Sequence, residues 1–246
     1  MKSFLSFFFI LVILTISGCS TNAPLKSLYY DIEESISQRN LIVFLRGRGG
    51  SHEDFAEKGF VDAIKDSKLP YDMIAPNAHF GYYFGETLVE RLKADIINPA
   101  KAKGYEEIWL VGASMGGLGA LMYSRFYPED VKGVFVISPF LGYDKIISEI
   151  ESQGGVRQWE PGEYNPDNDW QRMIWHWLKK YSDNQRQKPV IYLGYGTEDS
   201  YVEAQRILGD ILPYDQVITT SGGHTPETMK KLWDIFLQRD RLKQSE

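Results

Sequence analysis

The sequence is short of cysteine, of excess positive charge and of metal or nucleotide motifs, and each shortage closes a class of function. Its 246 residues contain one cysteine, Cys19. A lone cysteine makes no internal disulfide and cannot by itself hold a structural zinc ion. Lys and Arg number 27 against 33 Asp and Glu, a formal charge of −6. Without a basic excess to neutralise phosphates, nucleic acid is excluded as a main partner. No H-E-x-x-H, cysteine pair or paired-histidine spacing occurs, and no G-x-x-x-x-G-K; Gly47-Arg48-Gly49 lacks the last glycine of G-x-G-x-x-G. Neither a metal nor a cofactor is therefore expected. Internal repeats and low-complexity tracts are also lacking. What is there, 43% apolar and 24% charged residues, suits one α/β or all-β domain with a real core.

The apolar residues are unevenly spread. Phe4–Ile16 is interrupted only by Ser6 and Thr15, and Lys2 precedes it. Thirteen helical residues span about 20 Å, short of the roughly 30 Å hydrocarbon core of a bilayer. The run reads as the apolar region of a signal peptide. Ile16-Ser17-Gly18-Cys19 follows, and small residues before a cysteine resemble the bacterial lipobox. That resemblance implies cleavage before Cys19 and acylation of its sulfur. Ser20 resembles the residue found in lipoproteins sorted to the outer membrane of a diderm host. The expectation is a signal peptide over 1–18, a lipid-anchored tether over 19–27 and a folded domain over 28–246, placed in the bacterial cell envelope. Removal of Lys2 makes the chain more acidic, so anchoring would rest on acyl chains rather than on attraction to anionic lipids.

From residue 28 onward, short β-rich runs alternate with segments of helical period. Strands are predicted at 41–46, 71–75, 108–112, 133–138, 189–194 and 216–220. Several, such as Leu41-Ile42-Val43-Phe44-Leu45, are continuous apolar runs, as in strands buried on both faces. Helical spacing recurs at Leu88, Val89, Leu92, Ile96 and Ile97, and at Met229, Leu232, Trp233 and Phe236. The pattern predicts an α/β fold: a doubly wound, mostly parallel sheet of about six strands with helices on both faces.

One predicted strand, Ile108-Trp109-Leu110-Val111, runs into Gly112-Ala113-Ser114-Met115-Gly116 and then a helical segment. In G-x-S-x-G at a strand–helix junction, the serine sits on a tight turn that projects its hydroxyl above the sheet. Here the chain resembles the α/β-hydrolase family of serine hydrolases, from about Leu41 to the end. The family's order of serine, acid, histidine places the acid on Asp199 in Gly196-Thr197-Glu198-Asp199, with Glu198 its competitor. The histidine falls on His224 in Gly222-Gly223-His224. The resemblance also implies an oxyanion hole from the backbone N–H groups of Met115 and Arg48. Arg48 lies in Arg46-Gly47-Arg48-Gly49-Gly50, which departs from the family's H-G-x-G-G by having arginine first.

Other residues compete for roles. His52 and His79 lie in loops after predicted strands, and His79 and Phe80 are candidate pocket residues. Between about 143 and 188 lies a tryptophan-rich insertion. In it Trp170, Met173, Ile174, Trp177, Leu178 and Tyr181 share one helical face. Two readings stand: an ordinary helix packed on its own sheet, or a small helical cap whose Trp170 and Trp177 line the substrate pocket. The resemblance implies a monomeric serine hydrolase that cleaves a carboxylic ester through Ser114, His224 and Asp199 and an acyl-enzyme, acting on a small-molecule or lipid-like acyl substrate. The alternatives are an acyltransferase on the same fold and a non-catalytic envelope scaffold.

Overall fold

The computed structural model describes residues 22–32, 39–183, 189–239 and 241–242. The expected signal peptide, Cys19 and the start of the tether lie outside the described residues. Among those described, no helix is long and apolar enough to cross a membrane.

Seven strands form one sheet: Ser27–Tyr30 (β1), Arg39–Leu45 (β2), Tyr71–Pro76 (β3), Tyr105–Ala113 (β4), Gly133–Ile137 (β5), Val190–Gly196 (β6) and Val217–Thr220 (β7). Their spatial order is β1-β3-β2-β4-β5-β6-β7. All neighbours pair in parallel except β1, which runs antiparallel to β3 along the edge. The six predicted strands are present, and β1 is a seventh. Four half-exposed edge residues, Ser-Leu-Tyr-Tyr, give no periodic signal strong enough to announce a strand. The domain also begins earlier than expected. Leu25 is buried and donates its N–H to Asp95 (2.8 Å), and Tyr82 donates its hydroxyl to the Ala23 carbonyl. The last part of the expected tether is thus docked on the fold.

Alternation along the strands divides the core in two. Ile42 and Phe44 of β2, with Trp109, Val111, Phe135 and Ile137, face one side. There they pack against Asp54–Glu57 (α1), Phe60–Asp66 (α2) and the C-terminal helix. On the other side, Val43, Leu45, Leu110, Val134 and Val136 meet the remaining helices. These are Phe80–Phe84 (α3), Leu88–Leu92 (α4), Asn98–Ala102 (α5), Met115–Phe126 (α6), Asp144–Ser152 (α7), Trp170–Ser182 (α8) and Val202–Gly209 (α9). The C-terminal helix is Pro226–Gln238 (α10). Between α4 and α5 a π turn, Lys93–Ile97, carries the chain to Pro99; proline has no N–H to continue an α-helical ladder, and the wider turn absorbs that loss.

The tryptophan-rich insertion belongs to the second helical layer. Trp159 and Trp175 are fully buried, with Met173, Ile174, Leu178 and Tyr181 beside them. Trp175 donates its indole N–H to the Leu141 carbonyl (2.9 Å) and Trp159 donates to Glu149 (2.9 Å). Arg172 grips both Glu149 oxygens (2.5 and 2.7 Å) and the Pro161 carbonyl (3.0 Å). Bidentate pairing of this kind fixes geometry as well as adding energy. It ties α7, the intervening loop and α8 into one packed unit.

The Arg172 guanidinium holds the Glu149 carboxyl down at about 2, against an ordinary glutamate value near 4.5. Because the folded-state value is depressed, the pair's stabilisation is complete above the ordinary value and disappears as pH falls toward 2. Replacing Glu149 by Gln should lower stability by about 2 kcal/mol near neutrality. The deficit should shrink as pH drops below 4. Urea unfolding midpoints of the two proteins at pH 7 and pH 3 check this; an equal deficit at both pH values contradicts it.

Candidate active site

The site forms where four strands end. β4 stops at Ala113, α6 starts at Met115, and Ser114 between them has φ 54° and ψ −118°. This backbone conformation is costly for a residue with a Cβ and persists only where the surroundings enforce it. Enforcement comes from hydrogen bonds and close packing. The Ser114 N–H donates to the Ile137 carbonyl (2.9 Å), and the Ser114 carbonyl accepts from Gly117 and Phe140. A Cβ added to Gly116 would lie 1.9 Å from the Leu45 carbonyl oxygen, so the first turn of α6 can sit against the end of β2 only with glycine there. Although Ser114 occupies the N-cap position, its side chain makes no capping bond. Its hydroxyl is committed elsewhere.

The loops after β6 and β7 are tied together. Thr197 N–H donates to the Thr220 carbonyl and Glu198 N–H to that of Gly222. This brings Asp199 and His224 into register. His224 Nε2 lies 2.9 Å from Ser114 Oγ, and His224 Nδ1 is 3.0 Å from both carboxylate oxygens of Asp199. Asp199 is 3% exposed and also accepts the Tyr201 N–H (2.9 Å). Burial pushes its carboxyl up, but hydrogen bonds from His224 and Tyr201 outweigh burial and hold it below the usual carboxylate range. Its competitor Glu198 is exposed, and the carboxylate bonded to His224 belongs to Asp199. Such a chain can move a proton off the hydroxyl onto Nε2, with the buried carboxylate stabilising the resulting imidazolium.

Ser114 and His224 open into a cleft of about 670 Å³ whose walls include Arg46, Arg48, Phe55, Lys58, Tyr201 and Met229. Met115, at the first helical position of α6, has an N–H with no intrahelical partner.

The four candidate pocket residues lie elsewhere. His79 caps α3 by accepting the Gly81 N–H (3.1 Å) and packs on Tyr82. Phe80 is exposed beneath the Arg48 guanidinium, 4.8 Å away, and does not line the cleft. Trp170 is separated from His224 by two rings: Trp170 meets Phe140, Phe140 meets Tyr201, and Tyr201 stands edge-on to His224 at 5.1 Å. Trp177 packs on Tyr181 against the core. The apolar helical face is a core face, and none of residues 143–183 borders the cleft. His52 lies within 3.0 Å of the Glu53 carboxylate. The walls the sequence did not announce, Phe55, Met229 and Tyr201, come from α1, from α10 and from the turn residue that precedes α9. Only Tyr201 carried a signal, two residues after the acid.

The model of the Esterase family matches residues 12–213. The chain belongs to the Esterase family. A comparison with curated proteins finds no match. Among solved structures, this esterase is similar to the S-formylglutathione hydrolase FrmB of Staphylococcus aureus. The TM-score is 0.59 at 12% identity, covering 87% of this chain and 95% of that one. It is also similar to a monoacylglycerol lipase of Paleococcus ferrophilus (TM-score 0.56, 16% identity, 88% and 98% covered). A ferulic acid esterase gives a TM-score of 0.59 at 14% identity, with 90% and 100% covered. Identities this low establish a shared α/β-hydrolase fold. Family membership makes the protein a hydrolase of esters.

Proposed function

We propose that the esterase works by covalent acyl transfer on Ser114. The observation that carries this reading is the unbroken hydrogen-bonded chain from Ser114 Oγ through His224 to buried Asp199. His224 takes the proton as Ser114 Oγ attacks the ester carbonyl. Asp199 orients the ring and stabilises the imidazolium, and the N–H groups of Met115 and Arg48 receive the oxyanion. The alcohol leaves with the proton returned by His224. Water, deprotonated by the same imidazole, then releases the acid. The substrate is a small-molecule or lipid-like ester entering the cleft beside Tyr201 and Met229. The ester-cleaving enzymes among the structural neighbours support the choice of bond.

The enzyme is also proposed to be a lipoprotein of the bacterial cell envelope, held at the outer membrane in a diderm host. Support comes from Ile16-Ser17-Gly18-Cys19 after an apolar run. Because Ala23 and Leu25 are already docked on the domain, only Ser20–Asn22 would separate the acylated cysteine from the fold. Three residues reach at most about 11 Å, so the domain would stay close to the bilayer.

Replacing Ser114 by Ala should reduce kcat/KM for p-nitrophenyl esters by about 10⁴-fold or more, with the thermal midpoint little changed. Near-normal turnover by the variant would refute the nucleophile assignment. For the anchor, cells fed an alkynyl fatty acid should yield a labelled, membrane-bound wild type. An unlabelled, soluble Cys19→Ser protein should appear beside it; equal labelling of the two would overturn the anchor.

A further inference from the structure

We propose that Arg46 is a positioning residue for the oxyanion hole, bracing the glycine-rich loop that carries the Arg48 N–H; this rests on the acyl-transfer reading above. The loop follows β2 and lies directly against the proposed nucleophile. A Cβ built on Gly47 would fall 3.3 Å from Ser114 Cβ and 3.9 Å from its Oγ. Any drift of this backbone therefore changes the space in which a tetrahedral intermediate must fit. Yet Gly47, Gly49 and Gly50 have no side chains to hold the loop in place. The Arg48 side chain turns outward onto Phe80. The brace has to come from outside the loop's centre.

Arg46 supplies it. Its Nη1 donates to Asn77 Oδ1 at 2.7 Å, a short charge-assisted bond to the loop after β3. From that fixed point, Nε reaches the Gly47 carbonyl and Nη2 the Arg48 carbonyl, each at 3.4 Å. Asn77 is itself anchored: its N–H donates to the Lys26 carbonyl (2.7 Å), and its own carbonyl accepts from His79 (2.8 Å). In a trans peptide the C=O and the following N–H point to opposite edges of one plane. Holding the Gly47 carbonyl toward the guanidinium therefore turns the Arg48 N–H away from it, and holding the Arg48 carbonyl does the same for Gly49. The Arg48 N–H makes no backbone hydrogen bond among the described residues, so it stays free to bind an oxyanion. A planar fork with five donors can serve two successive carbonyls and an amide oxygen together. An imidazole cannot, which gives a physical reason for arginine at the position where the resembling loop has histidine.

Arg46 also lines the cleft, so the test must separate bracing from direct recognition of a substrate anion. The full chain is assayed with p-nitrophenyl acetate and with a p-nitrophenyl ester bearing a carboxylate on its acyl group, using Arg46→Met, Arg46→Lys and Asn77→Ala. Bracing predicts that Arg46→Met lowers kcat by about 10²-fold, the scale of losing one oxyanion donor, for both esters and with KM little changed. Arg46→Lys should recover part of the loss. Asn77→Ala, which leaves the guanidinium present but unanchored, should lower kcat in the same sense. A loss confined to KM for the charged ester would overturn the proposal in favour of substrate recognition. Wild-type kcat in both Arg46→Met and Asn77→Ala, with Ser114→Ala inactive, would overturn the brace and leave the Ser114 chemistry standing. An active Ser114→Ala would instead overturn the underlying reading. If Arg46→Met fails to fold, Asn77→Ala alone decides, since wild-type kcat in that variant overturns the brace.

Discussion

The approach of the first turn of α6 to the end of β2 is the constraint on which the site depends. Gly116 lies so close to the Leu45 carbonyl that no side chain fits between them. Sheet register puts Leu45 opposite Gly112, so the turn around Ser114 and the loop starting at Arg46 rise from neighbouring strands at the same height. The strained backbone at Ser114 follows from that closeness: the chain has to reverse from strand to helix within one residue. Bonds from Ser114 to Ile137 and Phe140 spread the strain into β5 and the loop after it. The local conformation is unfavourable, and the burial of β2, β4 and β5 on both faces offsets it.

Around that fixed hydroxyl, the other strands supply the polar groups in order. β6 and β7 pair in parallel, and the cross-loop bonds beyond their ends hold Asp199 behind His224. Burial would favour a neutral carboxyl, but the hydrogen bonds it accepts keep it ionised. An ionised partner on the Nδ1 side leaves Nε2 as the face turned to Ser114, the arrangement the proposed proton transfer requires. Arg46 belongs to the same logic. The loop opposite the histidine has glycines for close approach, and a cation anchored on a third loop gives it rigidity. Precision here comes from bonds between loops, each of them set by the sheet.

Much of this was legible in the sequence because it is local or repetitive. Apolar runs such as 41–45 and 108–111 marked buried strands, and the glycines flanking Ser114 marked the sharp turn. Serine, acid and histidine each followed a strand. What could not be read depended on which way a face turns. The stripe through Trp170 and Trp177 marked an apolar helical face correctly, but periodicity does not say whether such a face meets the core or a substrate; here it meets the core. His79 looked available because nothing in the sequence shows that its ring is spent on capping α3. Phe55, Met229 and Tyr201 meet only in three dimensions, and β1 was too short and too exposed to leave a pattern.

The central claim, that Ser114 is the group activated for covalent attack, is met most directly by a fluorophosphonate probe followed by peptide mass mapping. The account predicts one phosphonyl adduct per chain, located on Ser114 and strongly reduced in His224→Ala. An adduct on another residue, or undiminished labelling of the Ser114→Ala protein, would contradict it.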